Sequence, residues 1–144
     1  MNIKQAVPFF AVTSMDISLR FYTQGLAFEV KNKWSPRGKI EWCWLERDGA
    51  ALMLQEFRTE GADSWRPEGK VGIGVSINFL CEDALTLYHE FISKELQPSE
   101  PFVGNHMWVV SLRDPDGYSL FFESATEVAE ETKYSEWRND SLKN

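Results

Sequence analysis

Apolar and polar positions in the first half of the chain follow first a strand-like and then a helical spacing, and they predict one helix among four strands. Residues 6–13 are apolar and rich in strand-forming side chains. Ser14 has the side chain of a helix N-cap, and apolar residues then recur at helical spacing over 15–24. Three further strands are predicted over 28–34, 40–46 and 50–57. The first half therefore has the order β-α-β-β-β.

The second half of the chain repeats this order. A strand is predicted over 71–81 and an amphipathic helix over 83–94. The next strand, over 97–102, is weak because Pro98 and Pro101 have no backbone N–H to donate. Two more strands are predicted over 106–112 and 118–123.

A short turn with its flanking strands occurs at equivalent positions in the two halves. Residues 113–123 contain Asp-Pro-Asp-Gly followed by an apolar strand, and residues 46–56 contain a fainter copy with Arg-Asp-Gly. The turn glycines Gly49 and Gly117 lie 68 residues apart (117 − 49), about half the chain length. A repeat of this length indicates two similar supersecondary units, whose strands can be compared position by position.

The composition is typical of a globular protein that can bury a sizeable core. The 144 residues are 43% hydrophobic and 26% charged, and the aromatic content of 14% is high. Extra aromatic side chains fill a core or line a pocket for a flat apolar ligand. Cys43 and Cys81 lie in apolar contexts without metal-binding spacing, so we expect two reduced thiols.

The charge pattern and the hydropathy narrow the choice of partner and compartment. The net charge is −7 and no basic stripe is present, which argues against nucleic-acid binding. No apolar run is long enough to span a membrane, and the N-terminus lacks the layout of a signal peptide. We therefore expect a cytoplasmic protein that has no membrane partner.

Four short segments carry a more specific signal when they are taken in order. They are Ala-Val-Pro-Phe-Phe-Ala-Val at 6–12, Ser-Leu-Arg-Phe-Tyr at 18–22, Gly-Leu-Ala-Phe at 25–28 and Asp-Pro-Asp-Gly at 114–117. Together with the repeated β-α-β-β-β order, they resemble the vicinal oxygen chelate superfamily. This group includes glyoxalase I, bleomycin resistance proteins and ring-cleaving dioxygenases. The resemblance covers about residues 6–124, and Ala27 departs from it where the family usually has glycine.

The resemblance implies an α+β fold in which two βαβββ modules form a curved mixed sheet with a bowl-shaped cleft, the glyoxalase/bleomycin resistance fold. We expect a single domain over 1–144, with modules at 6–58 and 71–124, a linker at 59–70 and a C-terminal tail at 125–144. In the tail, Val128, Tyr134 and Trp137 predict a short helix that packs on the chain's own surface or on a partner subunit.

The superfamily's enzymes hold one divalent metal with His, Gln or Glu from the first and last strands of each module. The equivalent positions in this chain are Val7, Met53, Ser76 and Phe121. Valine and phenylalanine have no donor atom, and a thioether or a neutral hydroxyl is a poor ligand for Ni, Zn, Mn or Fe. A slip of one residue in register introduces no ligand either. We therefore expect no metal and no cofactor.

The remaining ionisable candidates do not complete a metal site. His89 falls in a predicted helix beside Glu90, where a solvated side chain is expected. His106 begins a strand and either hydrogen-bonds a ligand or plays a structural or exposed role. Glu56 and Glu123 end their strands, three and two residues away from the metal register, and we expect them to be solvated.

With apolar side chains at the metal positions, the bowl is expected to be a hydrophobic cleft with a few polar groups. The candidate ligand-binding residues are Phe9, Trp42, Trp44, Met53, Ser76, Asn78, His106, Trp108 and Phe121. Ser76 and Asn78 share one face of an apolar strand and need partners, which a ligand, water or a neighbouring loop would supply. Trp42 and Trp44 share a face and either stack on a ligand or fill the core beneath the helices.

These observations predict a metal-independent protein most similar in pattern to bleomycin resistance proteins. It would bind a small aromatic or hydrophobic molecule in the bowl, for sequestration or resistance, and the resemblance implies a homodimer. The alternative is a divalent-metal-dependent lyase, isomerase or dioxygenase of the same superfamily. A third possibility is a structural or regulatory protein with a filled bowl. No catalytic Ser-His-Asp pattern or phosphate-binding loop is evident, and enzymatic activity is left open.

Overall fold

The structure is a computed structural model that describes residues 1–62 and 64–143, and in these residues the chain forms two compact units. The first unit comprises Met1–Ile73 together with Pro115–Gly117, and the second comprises the rest of the described chain. Each unit has one four-stranded mixed sheet. None of the helices in this part of the chain is long and apolar enough to cross a membrane.

The first unit is a β-α-β-β-β module. Its elements are β1 (Phe9–Val12), α1 (Met15–Arg20), β2 (Glu29–Trp34), β3 (Trp42–Arg47) and β4 (Ala50–Glu56). The strands lie in the order β1-β4-β3-β2, with β1 parallel to β4 and the other neighbours antiparallel. The module thus brings the first and last strands of the repeat side by side.

The predicted helix begins where its N-cap places it, but its geometry changes halfway. The Ser14 side chain accepts a hydrogen bond from the Ile17 amide at 3.3 Å. After α1 the chain continues as a π-helical turn over Phe21–Gly25. Ala27 then has a φ of 59°, in the region that favours glycine. This conformation explains why glycine suits the position and why alanine there costs some strain.

The second unit repeats the module and adds a helix. Its elements are β5 (Ser76–Leu80), α2 (Ala84–Ser93), β6 (Phe102–Gly104), β7 (Met107–Arg113), β8 (Ser119–Ala125) and α3 (Tyr134–Lys143). The strand order is β5-β8-β7-β6, with β5 parallel to β8, as in the first unit. The predicted α+β class and the two βαβββ modules are therefore confirmed.

Two predicted strands differ from the observed ones for local reasons. The strand predicted over 71–81 is shortened to β5, because Gly72 and Gly74 take φ values of 81° and 79° and turn the chain. The weak strand predicted over 97–102 overlaps β6 only at Phe102. The two prolines of that segment remove backbone donors, and the regular pairing begins only after them.

The C-terminal tail packs on the chain's own second unit. The backbone of Val103 exchanges hydrogen bonds with Glu131 and Thr132, so the tail runs beside β6. In α3, the Trp137 ring lies 5.5 Å from the Trp108 ring, edge to face. The predicted helix therefore packs on the chain's own surface, which is one of the two possibilities that the sequence left open.

Candidate functional site

Among the described residues of the first unit, α1 covers one face of the first sheet and no helix of that unit covers the other face. Cys43, Leu45 and Leu54 are buried on the covered face, and the sulfurs of Cys43 and Met15 lie 4.0 Å apart. Trp42 alternates with these residues and is only partly buried. Since successive strand residues point to opposite faces, the partly buried set defines the helix-free face of the first sheet.

Aromatic and thioether side chains form a row across this helix-free face. Phe9 of β1 pairs with Met53 of β4, and Met53 pairs with Trp44 of β3. Directly paired side chains lie about 5 Å apart on the same face. Trp42 pairs with Gln55 in the next row. The structure therefore brings together four of the predicted ligand-binding residues on one surface of the first unit.

A hydrogen bond holds the side chain at one end of this row, and the side chain at the other end is exposed to solvent. The Trp44 indole N–H donates to the Glu46 carboxylate at 2.8 Å, which holds the ring in place. Phe9 at the other end is 50% exposed. Trp42 and Trp44 thus lie on the side without a helix rather than in the core beneath α1.

A buried carboxylate anchors the edge of the same sheet. Glu41 accepts a hydrogen bond from Arg37 at 2.6 Å and lies 3.8 Å from the Arg58 guanidinium. The Arg58 guanidinium is in turn 5.6 Å from the centre of the Trp34 ring, a cation–π distance. The two arginines offset the charge of Glu41, so we assign this cluster a structural role.

The helix-free face of the second sheet is more polar. Asn78 pairs with Phe121 across β5 and β8, and Ser76 pairs with Ser119. The Ser76 hydroxyl lies 3.1 Å from the Asn78 carbonyl oxygen, and the Asn78 amide donates to the Glu123 carboxylate at 3.0 Å. Ser76 and Asn78 therefore hydrogen-bond to each other, and Asn78 also bonds to Glu123 of β8 rather than to a neighbouring loop.

The metal positions implied by the resemblance do not supply a donor set. Val7 lies two residues before β1, and Met53 and Phe121 lie partly buried in the helix-free faces. Only Ser76 has a hydroxyl, and it is already hydrogen-bonded. In residues 1–62 and 64–143, no group of three or more His, Cys, Asp or Glu is placed to hold a metal ion. These residues do not fit a divalent metal.

The carboxylate of Glu56, another acidic candidate, is engaged in two contacts that stabilise the fold. One of its carboxylate oxygens accepts from the Met15 amide at 2.8 Å, and the other pairs with Lys39 at 2.5 Å. The first contact caps the N-terminus of α1, where a negative charge is stabilising. The second contact, with Lys39, raises the pKa of that lysine above its usual range, chiefly through its hydrogen bond to Glu56.

Two predicted ligand-binding residues lie away from the helix-free faces. His106 is in the turn before β7 with its side chain 85% exposed, and its Nδ1 is 3.5 Å from Glu130. Trp108 is only 5% exposed, because the rings of Tyr134 and Trp137 from α3 enclose it.

Both cysteines have thiol pKa values above the usual range. Burial raises the pKa of Cys43 to about 11, so its thiol keeps its proton at neutral pH. Burial also raises the pKa of Cys81, with a further contribution from the nearby charge of Asp83. Cys43 and Cys81 are both free thiols.

Sequence reasoning missed two polar residues that belong to these faces. Glu123 follows Phe121 by two residues and therefore shares its face. Gln55 stands two residues after Met53 and pairs with Trp42. Period-two counting along β4 and β8 was the signal that could have found both.

Solved structures show which fold this arrangement belongs to. No protein-family model matches the chain, and no curated protein does. The chain is similar to an antibiotic binding protein, TnmS3 from Streptomyces sp. CB03234, at 17% identity over 88% of this chain and 99% of that one, with a TM-score of 0.65. It is also similar to a glyoxylase/bleomycin resistance protein/dioxygenase domain from Frankia sp. EAN1pec, at 17% identity over 87% and 99% of the two chains, with a TM-score of 0.66.

A third structure, a glyoxalase/bleomycin resistance protein/dioxygenase from Nocardioides, is 15% identical over 90% of this chain and 89% of its own, with a TM-score of 0.61. The expected resemblance is thereby confirmed at the level of the fold. Proteins that share a fold can differ in function, so these similarities establish the architecture only. The chemistry has to be argued from the residues described above. The chain has the glyoxalase/bleomycin resistance fold, which is the architecture of the vicinal oxygen chelate superfamily.

Proposed function

We propose that this protein binds a small aromatic or hydrophobic molecule without a metal and acts by sequestration rather than by catalysis. The observation that carries the proposal is the row of Phe9, Met53 and Trp44 on the helix-free face of the first sheet. Flat apolar side chains beside a few polar groups are the usual lining of a small-molecule site. An antibiotic binding protein with the same fold supports the proposal by analogy.

The polar groups beside the row would orient a ligand. The Glu46 carboxylate holds the Trp44 indole, so the ring offers a fixed stacking surface at little entropic cost. Gln55 adds an amide that can both donate and accept in the neighbouring row. A planar ligand of about 17 non-hydrogen atoms would gain about 5 kcal/mol at the efficiency typical of drug-sized molecules. This corresponds to a Kd of about 0.2 mM.

The test uses N-phenyl-1-naphthylamine, a neutral aromatic probe that brightens in apolar surroundings. The probe is kept dilute and titrated with protein in a buffer containing a chelator. We expect saturable binding that Trp44→Ala weakens at least fivefold. Trp65→Ala is the matched control, because Trp65 packs on Phe57 outside the row. Absence of saturation at about 1 mM protein, or equal weakening by both variants, would contradict the proposal.

The same titration distinguishes metal-independent binding from the alternative of a metal-dependent enzyme. Repeating it after equilibration with Zn²⁺, Mn²⁺ or Fe²⁺ should leave the affinity unchanged, since the four family positions lack a donor set. Binding that appears only with one metal equivalent per chain would favour a lyase, isomerase or dioxygenase instead.

The quaternary state and the compartment are part of the same proposal. The resemblance implies a homodimer, and light scattering on the purified chain tests it directly. A cytoplasmic location is supported by the two free cysteines.

A further inference from the structure

The outer edge of β2 is open, whereas the equivalent edge of the second unit is covered. β2 and β6 have the same place in the two modules, at the end of the strand order. Among residues 1–62 and 64–143, β2 pairs only with β3, and all six of its residues are exposed. The outer edge of β6, by contrast, is paired with residues 131–134 of the C-terminal tail.

The tail lies antiparallel to β6 and bonds to it through the backbone. The Val103 N–H donates to the Thr132 carbonyl at 2.9 Å, and the Glu131 N–H donates to the Val103 carbonyl at 2.8 Å. A third bond runs from the Tyr134 N–H to the Pro101 carbonyl at 2.8 Å. Val103 is fully buried there. The outer edge of one module of this chain thus accepts an added extended segment.

The backbone of β2 has an outward donor that an added strand can use. The Lys33 N–H donates to Oδ1 of the Asn32 side chain at 2.9 Å rather than to β3. Alternate residues of an antiparallel strand bond to opposite sides, so this donor lies on the outer edge. Its acceptor is an exposed side chain one residue away, which the carbonyl of an added strand can replace.

The side chains of β2 indicate what kind of segment would fit. Lys33 pairs with Cys43 and lies on the α1 side of the sheet, whereas Trp34 pairs with Trp42 and lies on the helix-free side. Lys33 is exposed and has no ion-pair partner in the described part of the chain, and Trp34 is 44% exposed. A segment that alternates acidic and apolar residues would match both side chains.

The local charge favours an acidic partner over a second copy of this chain. Residues 30–40 contain four basic side chains and no acidic one, although the net charge of the chain is −7. Arg37 and Lys39 are ion-paired within the first unit, which leaves Lys33 as the cation available on the strand. Two β2 strands paired with each other would bring their lysines together, and like charges in that position are destabilising. The same lysines attract an acidic strand.

We infer that the outer edge of β2 binds an extended acidic segment of a partner protein, with acidic and apolar residues in alternation, as an added antiparallel strand. The tail on β6 is the example of this pairing within the chain itself. The inference is independent of the function proposed above, because it uses a backbone edge rather than the row of Phe9, Met53 and Trp44.

The test is a ¹H–¹⁵N NMR titration, followed at the backbone amides of β2 and β6, with the acetylated and amidated peptide Thr-Glu-Val-Glu-Val-Glu-Thr. Two comparison peptides separate charge from strand pairing. Thr-Lys-Val-Lys-Val-Lys-Thr reverses the charge, and Thr-Glu-Pro-Glu-Pro-Glu-Thr keeps the charge but lacks amide donors at its prolines. Lys33→Glu reverses the charge at the edge. Lys4→Glu is the matched control, because it makes the same charge change at an exposed position of the same unit.

We expect saturable shifts of the β2 amides with the acidic peptide and an affinity at least tenfold weaker for each comparison peptide. Lys33→Glu should weaken binding at least fivefold and Lys4→Glu less than twofold. Equal affinity for the acidic peptide and either comparison peptide would overturn the inference, whether or not Lys33→Glu folds. Shifts confined to β6, where the peptide would displace the tail, would overturn it as well. Binding of N-phenyl-1-naphthylamine should be the same in Lys33→Glu, so the two proposals fail separately.

Discussion

Replacing Trp137 with alanine tests whether the C-terminal helix is an integral part of the second unit. The Trp137 ring contacts Trp108 edge to face at 5.5 Å and Tyr134 at 6.0 Å. Tyr134 also hydrogen-bonds to His89 of α2 at 2.9 Å. Trp108 is almost fully buried, and the rings of Tyr134 and Trp137 contribute to its enclosure. Truncating Trp137 should therefore expose apolar surface on two elements at once.

The magnitude follows from the area involved. A tryptophan side chain buries about 200 Å² when enclosed, and Trp137 is partly exposed, so about 100 Å² is at stake. At about 25 cal/mol per Å² this area contributes about 2.5 kcal/mol. The edge-to-face contact with Trp108 adds about 0.5 to 1 kcal/mol. We expect the free energy of unfolding to fall by about 3 kcal/mol, which corresponds to a decrease in Tm of about 9 °C.

Urea unfolding followed by near-ultraviolet circular dichroism is the appropriate assay, because the paired indoles of Trp108 and Trp137 contribute to that signal. Arg138→Ala is the control on the same helix, since Arg138 is exposed and its loss should change stability by less than about 0.5 kcal/mol. If Trp137→Ala is as stable as Arg138→Ala, the helix is only loosely attached and the reasoning from buried aromatic area is wrong.

Two further predictions concern stability in the first unit. Glu56→Gln should lower the free energy of unfolding by about 1–2 kcal/mol, because it weakens both the cap on the Met15 amide and the pair with Lys39. A decrease of less than about 0.3 kcal/mol, measured by urea unfolding, would argue against this role. Burial raises the pKa of Cys43 from about 9 to about 11, so the unfolded chain loses this proton first and stability should fall between pH 9 and pH 11, by up to about 3 kcal/mol. Cys43→Ala should show a shallower slope over that interval, and equal slopes would refute the assignment to this thiol.

Local signals in the sequence predicted much of the fold because their physics is local. The Ser14 side chain caps α1 as its position predicted, since capping depends on three neighbouring residues. The Asp-Pro-Asp-Gly turn leads into β8, with Gly117 at a φ of 95°. The repeat of this turn at Gly49 located the two modules, because each turn joins the last two strands of its unit.

The orientation of Trp108 could not be predicted, and the reason lies in its strand. In β7, Trp108, Val109 and Val110 are all buried, so the strand lacks the alternation that assigns side chains to faces. Only the docking of α3, which is distant in sequence, decides what Trp108 contacts. By contrast, buried and partly buried residues alternate strictly around Trp42 and Trp44, and their shared face was predicted.

The hydrogen-bond partner of Asn78 could not be predicted from the sequence either. Its contact with Glu123 depends on the parallel register of β5 and β8, which joins residues 45 positions apart. The hydrophobic pattern sets which face each strand buries, but it does not select the residue pairs among registers that differ by two residues. Polarity in an apolar strand showed that a partner was needed, and the three-dimensional pairing showed which one.

The most direct test of metal-independent binding at the first sheet follows the indole N–H signals of the tryptophans by NMR during a titration with N-phenyl-1-naphthylamine in the presence of a chelator. The row on the helix-free face predicts saturable shifts for Trp42 and Trp44, while the signals of Trp108 and Trp137 stay in place. Shifts confined to Trp108 and Trp137, or shifts that appear only after a divalent metal is added, would contradict the account.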